Sequence, residues 1–254
     1  MKKLRTRRSF LAVSGATGTA LLVGCRKDEA SKTERSSNEV AQVTPAGKSD
    51  AGANDEPEVS AVEDLMREHG VIRRALVVYR EAGARLRTKP MGVPADALQK
   101  AAKLLRSFAE DYHEKKLEET HIFPAVKRTG GTAAREVETL IAQHLRGREI
   151  TDYVMASAAA PLAPARAAAL AGALDAFCRM YEEHAALEDT VIFPAWKKTM
   201  SSKELDEMGD LFEDIEHKTF GKDGFDDAVD QIEAIERAFG FELAQFTAAL
   251  PPRT

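Results

Sequence analysis

The chain contains one segment twice. LEETHIFPAVK begins at Leu117 and LEDTVIFPAWK begins seventy residues later at Leu187, with eight of eleven positions identical and Glu119 exchanged for Asp189. A segment so specific, repeated in a chain of 254 residues, requires two structurally equivalent elements, and whatever fold is proposed must place them alike.

The flanking sequence says what those elements are. From Ser60 the apolar residues Val62, Leu65, Met66, Ile72, Leu76 and Tyr79 recur at helical spacing, with His69 on the same face. A second helix starts near Pro94, carries Leu98, Ala101, Leu105, Phe108 and Tyr112 into the first repeat, and stops at Gly130 and Gly131. A third covers 132–158, its stripe passing Val137, Leu140, Ile141, His144, Thr151 and Met155. The fourth, 164–199, aligns Leu170, Leu174, Phe177, Tyr181, His184, Glu188, Val191 and Ala195. Alternating apolar runs and Asn-Gly hairpin signals are missing, so no sheet is expected. Long helices with short loops make antiparallel neighbours, and the expected fold is all-α: an up-down four-helix bundle over 59–200 with a C-terminal helical extension over 201–254.

Each of the four helices presents a histidine on or beside its apolar stripe, and the second and fourth add a carboxylate. One histidine on an apolar face is usually a core residue. Four of them beside two buried carboxylates are different, because unpaired buried charge costs several kcal/mol and two such groups repel. A pair of divalent or trivalent metal ions removes both costs, and imidazole with carboxylate suits non-haem iron or manganese.

These residues resemble the hemerythrin-like, or HHE cation-binding, family. The likeness rests on EHGVIRR around His69, YHEKKLEETHIFP from Tyr112, AQHLRGR around His144 and EEHAALEDTVIFP from Glu182. It implies a bundle holding two iron ions, with His69, His113, His144 and His184 as terminal ligands and Glu118 and Glu188 as bridges; manganese or zinc in place of iron stays open. The oxygen-carrying members have a further histidine where this chain has Arg148, so reversible oxygen carriage is not implied. Glu114, four residues before Glu118, is a further candidate ligand. His121 has Val191 as its counterpart and reads as a partly buried non-ligand, and His217 lies beyond the bundle.

Spacing sets a local problem. His184 and Glu188 are four apart and share a helix face, but His113 and Glu118 are five apart, which a regular helix cannot aim alike. The stripe also points from Tyr112 toward Lys115 or Lys116. One extra residue in the turn between Tyr112 and Glu118, a π-bulge, repairs the phase.

The amino terminus MKKLRTRRSFLAVSGATGTALLVGC has five basic residues ahead of a short apolar run, the pattern of an export signal over 1–24. TRRSFL fits twin-arginine export and LVGC resembles a lipoprotein box, with Cys25 as the lipidated residue and 25–58 as a polar, disordered tether. Such a protein is expected in the periplasm or cell envelope, held to the membrane by lipid alone. Removal of 1–24 leaves 31 basic against 41 acidic residues, a net charge of about -10, which disfavours nucleic-acid binding. A lipidated Cys25 leaves only Cys178, so no disulfide forms within the chain. The expected partner is a small diatomic ligand or oxidant, such as oxygen or nitric oxide. Two other readings stay open: an oxidase or peroxidase using the same metals, and a metal-binding module without redox turnover.

Overall fold

The computed structural model describes residues 59–158 and 164–252. The export signal, Cys25 and the tether lie outside the described residues.

Among the described residues the structure is all-helical. Helix α1 (Ala61–Thr88) opens on Ser60, whose hydroxyl accepts from the Glu63 amide and so satisfies one of the free N–H groups of the first turn. Helix α2 covers 95–129, built of α segments Ala95–Leu104 and Phe123–Thr129 around a π stretch, Leu105–Ile122. Gly130 and Gly131, both at positive φ, turn the chain into α3 (Gly131–Ala158). Helix α4 covers 164–197, with a single π turn, Glu188–Ile192, near its end. The four pack in order, α1 on α2, α2 on α3, α3 on α4, and α4 back on α1. Leu65, Leu76, Phe108, Leu140, Leu174 and Phe177 fill the interior they enclose, while Met66, expected on the inner face, is 39% exposed. No described helix is long and apolar enough to cross a membrane.

The phase problem of α2 is solved more broadly than one inserted residue would do. Backbone bonding between residues five apart runs through eighteen residues, so side chains at intervals of five share a face. Phe108, His113, Glu118 and Phe123 are all buried in consequence, and Lys115 and Lys116 stay outside. The π turn in the second copy was not expected, and proline explains it. Pro124 and Pro194 lack an N–H, and in a regular helix their rings would press on the carbonyls of Thr120 and Thr190. Widening the turn just ahead relieves this in both copies, and the Phe123 and Phe193 amides bond instead to the Glu118 and Glu188 carbonyls.

Two further helices, α5 (Ser202–Phe220) and α6 (Gly224–Phe239), cover one side of this bundle by packing on α1 and α2. Ser201 and Glu204 form a capping box at the start of α5. Buried Glu216 accepts the Phe225 amide at 2.7 Å, satisfying one of the free donors of α6. Arg74 of α1 holds Glu236 of α6 with two bonds, at 2.9 and 2.5 Å. The Phe212 ring lies flat against Trp196 at 5.7 Å, so α5 closes the bundle end formed by the second repeat.

Candidate metal centre

The six expected residues meet in the middle of the bundle. His69 from α1 faces His113 from α2, their Nε2 atoms 3.1 Å apart, and His144 from α3 faces His184 from α4 at 3.0 Å. Between the two pairs lie the carboxylates. Glu118 directs Oε1 toward His113 Nε2 at 3.4 Å and Oε2 toward His144 Nε2 at 3.4 Å. Glu188 directs Oε2 toward His69 Nε2 at 3.5 Å and Oε1 toward His184 Nε2 at 3.1 Å. Each carboxylate therefore offers one oxygen to each histidine pair. All six side chains are at most 4% exposed.

The other ring nitrogen of every histidine is spoken for. Nδ1 of His69 donates to Asp189 at 2.7 Å, that of His113 to Glu68 at 2.6 Å, that of His144 to Glu119 at 2.9 Å and that of His184 to the Gln143 amide oxygen at 2.8 Å. With the proton on Nδ1, each Nε2 presents a lone pair to the centre. Four lone pairs converge there with four carboxylate oxygens, Oε1 and Oε2 of Glu118 and Glu188, that are buried without a hydrogen-bond donor. Unmet acceptors facing one another are costly, and a cation is the group that satisfies them all. The separations fit one. Two nitrogens bonded to one ion at about 2.1 Å and a right angle lie about 3.0 Å apart. The donor set forms two overlapping groups, His69, His113 and Glu118, and His144, His184, Glu118 and Glu188.

Without a cation, protons must balance the charge, and the pKa pattern shows the strain. Burial together with the Glu118 charge pushes the Glu188 carboxyl well above the usual range. Burial acts on Glu118 too, but His113 and His144 outweigh it and hold that carboxyl well below the usual range. Burial, reinforced by His144, pushes His184 down to about 3, whereas the surrounding carboxylates overcome burial and raise His144 to about 10. Neighbours of like type are driven apart because the pocket cannot carry all its charges at once.

The repeat now has its explanation. Each copy supplies a carboxylate that lies between the histidine pairs, then an acid that holds a histidine of the adjoining helix, then a phenylalanine that stacks on that same ring. Glu119 holds His144 and Phe123 stacks on it at 5.4 Å; Asp189 holds His69 and Phe193 stacks on it at 5.4 Å. Arg73 pairs with Asp189 as Arg148 pairs with Glu119.

The remaining candidates fall outside the donor set. Glu114 lies outside those six, on the Nδ1 side of His144, accepting from Tyr181 at 2.6 Å and Arg148 at 3.1 Å, and with Glu119 and His144 it makes a further cluster of metal-type donors. Arg148 is thus committed to Glu114 and Glu119, not turned to the centre. Tyr112 donates to Glu68 at 3.0 Å, so both tyrosines hold acids near the site. His121 packs on Phe212, half-buried, and His217 lies on α5, 3.9 Å from Glu213. Sequence reasoning missed Glu68, Glu119, Gln143 and Asp189 as holders of the histidines. Each is the chain neighbour of a donor residue, and an acid at the same place in both repeats was the available signal.

Residues 60–196 match the model of the hemerythrin HHE cation binding domain. The chain belongs to this family. Relatives of this HHE protein include two described as uncharacterized proteins, one from Mycobacterium tuberculosis (strain H37Rv) and one from Mycobacterium bovis. Each is 44% identical to it over 205 residues, covering 79% of this chain and 79% of the relative. No solved structure matches it significantly. HHE membership and the buried His/Glu groups together make this a cation-binding domain.

Proposed function

We propose that this chain is an exported, lipid-anchored di-iron protein that binds or senses oxygen, nitric oxide or a related oxidant. In this reading 59–200 form an up-down antiparallel four-helix bundle and 201–254 its helical extension. His69, His113, His144 and His184 would hold the ions as terminal ligands, with Glu118 and Glu188 between them. The observation that carries the reading is the convergence of four imidazole lone pairs and four donor-less carboxylate oxygens in one buried space.

Iron bound here would supply redox chemistry and the capacity to take a small ligand. Four imidazole nitrogens and four carboxylate oxygens would hold the ions. The chain's own residues do the rest. Glu68, Glu119, Asp189 and Gln143 fix the ring orientations, Phe123 and Phe193 wall the rings off from water, and Arg148 offsets half of the charge of Glu114 and Glu119. Mixed nitrogen and carboxylate donors favour iron or manganese over softer metals.

TRRSFL and LVGC support export by the twin-arginine route and lipidation at Cys25, residues outside the described ones. That route carries folded proteins and so permits metal loading beforehand. An oxidase or peroxidase is the second reading, separated from the first by turnover with an electron donor.

The test is metal content. Residues 26–254, purified and loaded with ferrous iron, should hold two ions per chain and show a visible spectrum in air. His184→Ala should lower stoichiometry and melting temperature together, because ions bound only by the folded state stabilise it. A protein that takes up no iron and melts at the same temperature with or without it would end this reading.

A further inference from the structure

The two halves of the centre differ in what stands behind one histidine of each pair. Glu68 precedes His69 and holds His113 of the following helix; Gln143 precedes His144 and holds His184 of the following helix. The positions correspond, but one is an acid and the other an amide. We propose, on the di-metal reading above, that the two metal positions are therefore unequal: the one between His69 and His113 binds first and tightly, the one between His144 and His184 second and weakly.

The argument runs through what stands behind each ring. Three of the four histidines donate Nδ1–H to a carboxylate, which pulls the proton outward, makes Nε2 a stronger donor and brings a full negative charge toward the ion. His184 alone donates to a neutral amide, whose dipole does this only in part. Glu68 is 1% exposed and gives His113 one oxygen at 2.6 Å, while its other oxygen accepts from the neutral Tyr112 hydroxyl at 3.0 Å.

Other charges offset the difference only in part, because none of them bonds to the His184 ring. Asp189 and Glu119 are matched, each paired with an arginine, Arg73 and Arg148. Glu114 is an additional acid on the second side, 3.9 Å from His144 Nδ1. Its two oxygens are taken by Tyr181 and by Arg148, and it stands behind His144, which already has Glu119.

Cobalt(II) titration of the metal-free mature protein, followed by calorimetry, tests this. Two ions sharing bridging carboxylates repel, so wild type should show two steps in any case, and the variants decide which position is which. Glu68→Gln should weaken the tighter step by roughly 10- to 100-fold and leave the weaker step within about threefold. Gln143→Glu should strengthen the weaker step by a similar factor and narrow the gap. Glu68→Gln acting on the weaker step, or Gln143→Glu leaving that step unchanged, would overturn the proposal while the di-metal reading stands. Wild type that binds one cobalt or none would overturn the di-metal reading, and the proposal with it.

Discussion

Gly147 lies in α3 one turn beyond His144, buried under the Tyr181 ring. A Cβ added there would overlap the Tyr181 hydroxyl and come within 2.9 Å of ring carbons Cε2 and Cζ, so the ring would have to move. That ring is held on both sides, stacked on Phe177 at 4.3 Å and donating its hydroxyl to Glu114 at 2.6 Å. Gly147→Ala therefore sets opposing effects against each other. Replacing glycine by alanine inside a helix stabilises by about 1 kcal/mol. Overpacking costs about 1–3 kcal/mol, and losing a hydrogen bond to a buried carboxylate about 1.5–3 kcal/mol. Packing wins, and the expected outcome is a net loss of about 1.5–5 kcal/mol in denaturant unfolding of the metal-free protein. Tyr181→Phe, which keeps the ring and removes only the bond, should lose less. A neutral or stabilised Gly147→Ala variant would mean that helix propensity rules this position and that the close seating of Tyr181 is wrong.

Burial, added to the nearby Glu114 charge, outweighs Thr151 and Arg106 and raises Glu110 to about 7 from an ordinary 4.5. Because the folded-state value is the higher one, the contribution of Glu110 to stability is complete below about pH 4.5 and is lost as pH rises to about 7, a change of roughly 3 kcal/mol at most. Glu110→Gln should accordingly gain stability relative to wild type between about pH 5 and pH 8; parallel pH profiles for the two proteins would refute the shift. Phe212→Ala should cost about 3–5 kcal/mol and shift the emission of Trp196, the chain's single tryptophan, to longer wavelength. Unchanged emission would show that α5 does not seal that end of the bundle in solution. Cys25→Ala should release the protein from membranes into the soluble fraction, since acyl chains would be its sole anchor. Equal membrane association of both forms would count against the lipid.

By itself the sequence determined the helices and the identity of the residues that meet at the centre. Apolar periodicity marks a helix without reference to anything distant, and a buried carboxylate or histidine stands out on such a stripe because its cost is local. The five-residue gap between His113 and Glu118 also announced that α2 must depart from regular winding. What it could not announce was the extent of that departure, eighteen residues in one copy and one turn in the other, because the prolines mark where a turn must widen and not how far back the widening runs. Nor could it pair the histidines with their acceptors. Asp189 holds His69 across 120 residues of chain and Glu68 holds His113 across 45, contacts that exist only once the helices have packed. A helical stripe says which residues face inward but not what they will face, and the difference between Glu68 and Gln143 acquires chemical meaning only when folding puts one behind His113 and the other behind His184.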